Sequence, residues 1–399
     1  MPSAVRTLDP STGIADGTTV LPPRPETPVW QVVVRLAALP GRLSERDALG
    51  LVGASDLSRR GAMTRAAGEA IERSALRPVP AVDEGEALVT AVSPLDGGTR
   101  EIPLAPLLYD AEALRPRSAA EGAGSGGADE PTPSGAAAGG SVADAAASAL
   151  LELVERDALI VAWARRLALV RVGLRAESRA SGVVELLRAP LLARGGDLVV
   201  ADLGTDVPGV HAVVAVVTDP GTGAGAVGAR AATDLDSAVI GASREAVQAL
   251  HLARTLRTAG SGCAPAIVRT EQDRAAFWSG DEALHHLLRW TATFESPDSD
   301  SPGGAEVSSP VDPELVPELL ERAGLHPLVV DLTERLPVAA RELGWHVVKA
   351  LCPELQPLRI DEARTSSWRH DRLISAQERT GFLSASRPGE VFDVPHPLV

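Results

Sequence analysis

The chain is poor in lysine, cysteine and aromatic residues. Lys349 is the only lysine among 38 basic residues, so arginine carries nearly all of the positive charge. Cys263 and Cys352 are isolated and form no CxxC pattern, which argues against both a disulfide framework and a cysteine-rich zinc site. Aromatic residues make up 3% of the chain, so we expect a core of alanine, valine and leucine.

Positive net charge and long apolar runs are also lacking. The formal net charge is −15, which argues against nucleic-acid binding because a nucleic-acid-binding surface is basic. No stretch approaches the roughly 18 uninterrupted apolar residues of a membrane span, and no basic-apolar targeting segment opens the chain. We therefore expect a soluble, cytoplasmic protein with neither a nucleic-acid nor a membrane partner.

Strand and helix patterns alternate along the chain, which predicts a mixed α and β fold. The β-branched or apolar runs predict strands at 30–36, 87–92, 100–104, 198–201, 210–218, 328–332 and 346–352. The helical patterns cover 58–76, 141–167, 236–256, 314–323 and 338–343. With its short central helix, the run from 328 to 352 is typical of a βαβ-like unit.

Composition also predicts the organisation of the chain. Residues 1–28 are rich in proline, threonine and glycine, and we expect them to form an irregular arm. The remainder, 29–399, then forms one domain, with flexible insertions near 115–135 and 295–313. The glycine cluster within the first insertion follows no strand, and the chain has no Walker A or Rossmann glycine signature.

Two stretches repeat the pattern Glu-x-x-Glu-Arg within apolar runs. Positions i, i+3 and i+4 share one face of a helix, so each copy presents two carboxylates and a guanidinium together. The six residues are Glu69, Glu72, Arg73, Glu152, Glu155 and Arg156. One interpretation is a pair of solvated helix faces, the usual explanation for a lone copy. Against it, the second helix is apolar around most of its circumference, which predicts burial on several sides.

The alternative interpretation is a nucleotide site. Mg²⁺ prefers oxygen ligands and bridges carboxylates to substrate phosphates, so four facing glutamates could hold such ions against a triphosphate. Arginine forks fit phosphate oxygens, which gives Arg73 and Arg156 a matching role.

The surrounding residues resemble the YcaO family. That family typically shows Asn-Gly-x-Ala-Ala-Gly followed by Leu-x-Glu-x-x-Glu-Arg-Asp-Ala, and this chain has similar runs at 134–144 and 149–158. The run at 66–73 resembles the family's N-terminal Ala-Leu-Gly-Glu-Ala-x-Glu-Arg element. Three later segments agree in order: 244–248 with a Glu-x-x-Gln helix, 329–333 with a Val-x-Asp-Leu-Thr strand, and 395–397 with a proline-rich terminus.

The resemblance implies an α+β YcaO-type fold, with mixed sheets and helices around a central ATP cleft. It implies Mg²⁺ ligation by the four glutamates and phosphate contacts from Arg73 and Arg156. Asp144 stands where the family often has Glu, and Glu245 and Gln248 would complete the nucleotide pocket. The terminal tail would lie near the active site, which makes His396 and Pro397 candidate catalytic residues, His396 for proton transfer. A solvated tail is the alternative.

Three positions depart from the family pattern. The run Gly53-Ala54-Ser55-Asp56 has no lysine where members often carry Gly-Lys-Gly. Arg65 replaces a serine four residues before the first glutamate, and the tail ends in Leu398-Val399 rather than a final proline.

The function implied by the resemblance is ATP- and Mg²⁺-dependent activation of backbone amides in a ribosomally made precursor peptide. Cyclodehydration of Cys, Ser or Thr to azolines is the favoured reaction. Thioamide or amidine formation, and a non-catalytic scaffold subunit, are the alternatives. We expect a leader-binding E1-like or ThiF-like partner in trans, because only the short arm precedes the first predicted strand. A homodimer is left open.

Overall fold

A computed structural model describes residues 2–38, 50–78, 87–109, 130–260, 265–296, 311–387 and 390–398. Most of the predicted insertions near 115–135 and 295–313 lies outside these described residues, as do Cys263 and Val399. None of the helices in these described residues combines the length and the hydropathy of a membrane span.

Three antiparallel sheets form the β structure. The first has the order β1-β2-β3, the second β10-β9-β8-β7 and the third β5-β4-β11-β12-β6. The strands are β1 (Ala15–Leu21), β2 (Trp30–Leu36), β3 (Leu51–Asp56), β4 (Leu88–Val92), β5 (Thr99–Pro103), β6 (Ala136–Gly139), β7 (Val170–Arg171), β8 (Asp197–Asp202), β9 (His211–Asp219), β10 (Ala224–Ala232), β11 (Leu328–Asp331) and β12 (His346–Leu351).

The described α-helices range from a single turn to 24 residues. They are α1 (Ala4–Thr7), α2 (Arg59–Leu76), α3 (Val142–Arg165), α4 (Arg179–Leu192), α5 (Leu235–Thr258), α6 (Glu271–Trp278), α7 (Asp281–Thr291), α8 (Val316–Arg322), α9 (Val338–Glu342), α10 (His370–Ile374) and α11 (Ala376–Thr380).

Helix α3 is the central element of the fold. It packs against β6 and β12 of the five-stranded sheet and against β9 and β10 of the four-stranded sheet. Ser141 caps its start by accepting a hydrogen bond from the Asp144 N–H, and the left-handed Arg166 ends it. Burial on several sides, as the apolar circumference predicted, is confirmed.

The four-stranded sheet is covered on both faces. Along β9, Val213 and Ala215 belong to the core shared with α4 and α5, whereas Val214 and Val216 belong to the core that includes α3. Because both faces are buried, the strand is a continuous apolar run instead of an alternating one. Helix α2 packs on β2, β3 and β6. Its Glu72 lies close enough to Glu152 of α3 for the two carboxylates to repel each other.

Two predictions about local structure are wrong. β11 and β12 pair antiparallel, so the run from 328 to 352 is not a βαβ unit. The intervening α9 has only five residues, too short for the crossover that a parallel pair requires. The expected irregular arm also contains α1 and β1, because the threonine-rich stretch Ala15–Leu21 pairs along β2.

Candidate active site

The two Glu-x-x-Glu-Arg helices face each other. Burial, repulsion from Glu69 and repulsion from Glu152 hold the pKa of Glu72 well above its ordinary value. Because Glu72 lies on α2 and Glu152 on α3, this repulsion means that the two helices bring their carboxylates close together. The carboxylates of both copies of the motif thus share one cleft. The structure therefore brings together the four glutamates that the sequence singled out.

Arginine side chains pair with these carboxylates. Arg156 Nη2 donates to Glu152 Oε1 at 2.9 Å, and Arg156 Nη1 lies 2.9 Å from Glu155 Oε1. Burial lowers the pKa of Arg156, but Glu155 and Glu152 outweigh it and raise the pKa above the usual value. Arg73 Nε donates to Glu69 Oε1 at 3.1 Å, and its guanidinium lies 4.9 Å from the Tyr109 ring centroid.

Strand β10 and helix α5 form a third wall of the cleft. Glu155 Oε2 accepts from the Ala231 N–H at 3.2 Å, and Glu245 Oε2 accepts from the Ala229 N–H at 3.3 Å. Both N–H groups lie on the edge of β10 that faces away from β9. Burial and repulsion from Glu155 raise the pKa of Glu245 to about 7. Glu245 thus joins the carboxylate cluster.

The other two predicted nucleotide-binding residues differ in position. Gln248 Nε2 donates to the Gly53 carbonyl at 3.1 Å, which ties α5 to β3 at the cleft. Asp144 is exposed in the first turn of α3. It precedes Glu152 by eight residues, about 12 Å along a helix. Asp144 therefore lies about two helical turns from Glu152, and its part in the nucleotide pocket stays a prediction.

Sequence reasoning missed Lys349, which lies in β12 beside the cluster. The residue is 4% exposed, and its ammonium donates to the carbonyls of Thr132 at 2.7 Å and Ser134 at 2.6 Å. Burial lowers its pKa to about 8, opposed by attraction to Glu152 and Glu72. The available signal was a lone lysine inside an otherwise apolar strand.

Asp157, which follows the second Glu-x-x-Glu-Arg motif, belongs to a buried network of hydrogen bonds and ion pairs. Asp157 Oδ1 accepts from the Gln356 N–H at 2.8 Å and from Arg372 Nε at 2.9 Å. Asp157 is 3% exposed, and Arg372 also binds Asp206. This buried network fixes the segment after β12 against α3.

The C-terminal tail is bound, not solvated. Trp163 Nε1 donates to the Val394 carbonyl, while Trp278 Nε1 and Arg274 Nη1 donate to the His396 carbonyl, each at 2.9 Å. His396 and Pro397 are both buried, and Pro397 lines a small cavity beside Trp278.

The His396 ring has one nitrogen engaged. Nε2 lies 2.6 Å from the Arg359 carbonyl, which can only accept, so Nε2 carries the proton. Within the described residues the buried Nδ1 has no hydrogen-bond partner. Burial and the charge of Arg274 hold the pKa of His396 well below its usual value, with a smaller repulsion from Arg156. His396 in the tail thus lies close enough to the cleft for the charge of Arg156 to lower its pKa.

A cavity of about 510 Å³ lies elsewhere, between the loop after β1 and the second half of α5. Its walls include Arg24, His251 and Arg254, but none of the predicted site residues. Because the carboxylates lie outside it, we place the candidate site at the cleft between α2, α3 and α5.

The donor set fits Mg²⁺ held together with a nucleotide. Within the described parts of the chain, no group of three or more acidic, histidine or cysteine side chains is arranged to hold a metal ion by itself. Mg²⁺ needs only one or two carboxylates when substrate phosphates and waters complete its shell. The partly buried glutamates of the cleft, which repel one another, can supply those carboxylates.

A family model described as YcaO cyclodehydratase, ATP- and Mg²⁺-binding, matches residues 65–356. The chain belongs to the YcaO family. The expected family, fold class and cofactors, ATP and Mg²⁺, are thereby confirmed, and membership supports an ATP-dependent enzyme.

Solved structures show the same fold. YcaO from Methanopyrus kandleri, bound with AMPPCP and Mg²⁺, is 20% identical, with a TM-score of 0.63 over 90% of this chain and 91% of the other. A heterocyclase in complex with substrate and cofactor is 17% identical, with a TM-score of 0.70 over 98% of this chain and 56% of that longer one. The E. coli microcin synthetase McbBCD complex gives 16% identity and a TM-score of 0.61, over 91% and 95%. No curated protein matches the chain.

Proposed function

We propose that this YcaO protein uses ATP and Mg²⁺ to activate backbone amides of a ribosomally made precursor peptide, forming azolines from Cys, Ser or Thr. The observation that carries the proposal is the cleft in which Glu72 of α2 and Glu152 of α3 repel each other beside Arg156. Such an arrangement suits phosphoryl transfer, where catalysis rests on positioning and on neutralising charge.

The substrate's thiol or hydroxyl adds to the preceding carbonyl carbon and gives up its proton, leaving an oxyanion. That oxygen takes the γ-phosphoryl group of ATP, releasing ADP, and then departs as phosphate while the amide nitrogen loses a proton and the ring C=N forms. The peptide loses one water overall.

The chain's own residues have distinct roles in this proposal. Glu69, Glu72, Glu152 and Glu155 would hold Mg²⁺, which supplies charge neutralisation at the phosphates. Arg73 and Arg156 exchange their carboxylate partners for phosphate oxygens, and Glu245 and Gln248 line the nucleotide pocket. His396 holds Nδ1 as a free acceptor near Arg156, and its bound position supports a part for the tail, with Pro397, at the active site.

Peptide capture is assigned to a second protein. The McbBCD structure is a complex that has also been solved with pro-MccB17 bound. By analogy we propose a leader-binding E1-like or ThiF-like partner for this chain, and a cytoplasmic location for the reaction. Light scattering of the purified protein, alone and with the partner, separates a heteromeric complex from a homodimer.

Mass spectrometry of the precursor peptide tests the reaction. With protein, partner, ATP and Mg²⁺, azoline formation removes one water per ring and releases one ADP. Exchange of oxygen for sulfur would indicate a thioamide, and loss of water with joining of a distant amine would indicate an amidine. A peptide of unchanged mass, with no ADP released in the complete complex, would identify a non-catalytic scaffold.

A further inference from the structure

Two arginines from different helices pair with one aspartate at an end of the cleft, and a third arginine lies near both of them. Asp56, the last residue of β3, pairs with Arg65 of α2, whose Nε lies 3.2 Å from Asp56 Oδ2. Arg244 of α5 pairs through Nη1 with the same oxygen. Arg230 of β10 lies close enough to repel both arginines. We call these residues the Asp56 cluster.

The backbone is shaped to hold this cluster. Gly241 of α5 lies under the stem of Arg230, where a β-carbon would come within 2.6 Å of Arg230 Cγ. A β-carbon at Gly61 would collide with the Asp56 carboxylate. The Ser58 N–H also donates to Asp56 Oδ1 at 3.1 Å, which orients that carboxylate at the start of α2.

Positive charge exceeds negative charge within the cluster. One carboxylate serves two guanidinium groups, and within the described residues no carboxylate forms an ion pair with Arg230. Arg244 is 8% exposed, and its buried Nε has no hydrogen-bond partner there. Burial, then repulsion from Arg65, lowers the pKa of Arg244 to about 10. Like charges held this close call for an anion.

The cluster adjoins the carboxylates proposed to hold the metal. Arg65 precedes Glu69 by about one helical turn on the same face of α2, and Arg244 is next to Glu245. Arg230 attracts both Glu155 and Glu245. An elongated polyanion can therefore extend from the carboxylate cluster to the Asp56 cluster.

We propose that Arg65, Arg230 and Arg244 form a metal-independent phosphate-binding subsite for the nucleotide. This inference rests on the proposed use of ATP and extends it to residues outside the Glu-x-x-Glu-Arg motifs. Guanidinium groups bind phosphate oxygens through paired hydrogen bonds, so the subsite holds one phosphate directly while the carboxylates act through Mg²⁺.

Calorimetry with two variants tests the subsite. Arg65→Gln removes a side chain that is 46% exposed and has little packing to lose, and Arg244→Gln removes the buried arginine. We expect each to weaken Mg-ATP binding about tenfold or more, the loss of roughly one charge-assisted contact. Binding of tripolyphosphate in EDTA should weaken equally. Arg188→Gln, which removes an arginine paired with Asp197 elsewhere, is the matched control and should leave both affinities unchanged.

Several outcomes would overturn the proposal. Unchanged Mg-ATP affinity in Arg65→Gln, absence of tripolyphosphate binding by wild type in EDTA, or an equal loss of adenosine binding would each do so. Inorganic phosphate distinguishes the source of the anion. If it binds wild type as tightly as tripolyphosphate does, the subsite holds free phosphate and not the nucleotide. If wild type binds tripolyphosphate in EDTA but does not bind Mg-ATP, the proposed function is refuted while the phosphate-binding subsite stands.

Discussion

Glu152 on α3 repels Glu72 on α2 across the cleft, adding to the burial that raises the pKa of Glu72. A cluster of this kind is unfavourable until a cation enters it. The arrangement predicts which ligands stabilise the protein and which substitutions abolish activity.

Glu152→Gln should weaken Mg-ATP binding about tenfold or more and slow ATP hydrolysis by roughly two orders of magnitude. The reason is that the protein loses a carboxylate that Mg²⁺ would link to the phosphates. Isothermal calorimetry and a phosphate-release assay measure the two effects. Glu185→Gln, at an exposed position on α4, should change the affinity less than about threefold. Equal losses in both variants would show that the effect does not arise in the cleft.

Mg²⁺ and ATP together should stabilise the fold more than either alone. No three described acidic side chains are arranged for a metal by themselves, so phosphate oxygens must complete the site. At a ligand concentration of 100 times Kd, mass action contributes about 2.7 kcal/mol to the free energy of unfolding. Thermal melts with Mg²⁺, ATP, both, and both plus EDTA measure this. Full stabilisation by Mg²⁺ alone would contradict it.

His396 should make the protein less stable in acid. Its pKa lies well below 6.5 in the folded chain and near 6.5 in the unfolded chain. As pH falls below about 6.5, the unfolded chain gains a proton that the folded chain does not, so the free energy of unfolding falls. Above that pH this contribution is fully present.

Urea unfolding of His396→Asn between about pH 5 and 7.5 should show a weaker pH dependence than wild type. His285→Asn, at an exposed position on α7, should retain the wild-type dependence. Parallel curves for all three proteins would place the acid sensitivity elsewhere.

Asp157→Ala should destabilise the fold by about 3–5 kcal/mol, because Arg372 would lose a buried partner. Chemical denaturation measures the loss. The folded fraction should keep a nucleotide affinity within about threefold of wild type, since Asp157 binds the segment after β12 and not the cleft. A selective loss of ATP binding with unchanged stability would be inconsistent with this role.

Much of the fold was predictable from periodicity. Helices α2, α3 and α5 and strands β2, β8 and β9 lie within one or two residues of the predicted ranges. Strands β6 and β10 were missed because they consist largely of alanine and glycine, which have low strand propensity. Their strand conformation comes from pairing with β12 and β9. The direction of β11 against β12 was missed because local pattern does not specify pairing.

The residues of the candidate site likewise include some that the sequence predicts and some that it does not. Glu69, Glu72, Glu152 and Glu155 were predictable because helical spacing places each pair on one face. Arg230, Arg244 and Lys349 were not, since each reaches the cleft through packing between elements distant in sequence. The binding of His396 by Trp278 and Arg274 likewise depends on tertiary contacts across more than a hundred residues.

The burial of Lys349 has a practical consequence for mapping the contacts of the proposed partner protein. Amine-reactive cross-linkers and labels depend on exposed lysines, and the single lysine of this chain is 4% exposed between two backbone carbonyls. Lysine-directed cross-linking will therefore leave its surfaces almost unmarked even in a fully assembled complex. Carboxylate-directed reagents, with 53 acidic residues available in the sequence, are the suitable choice.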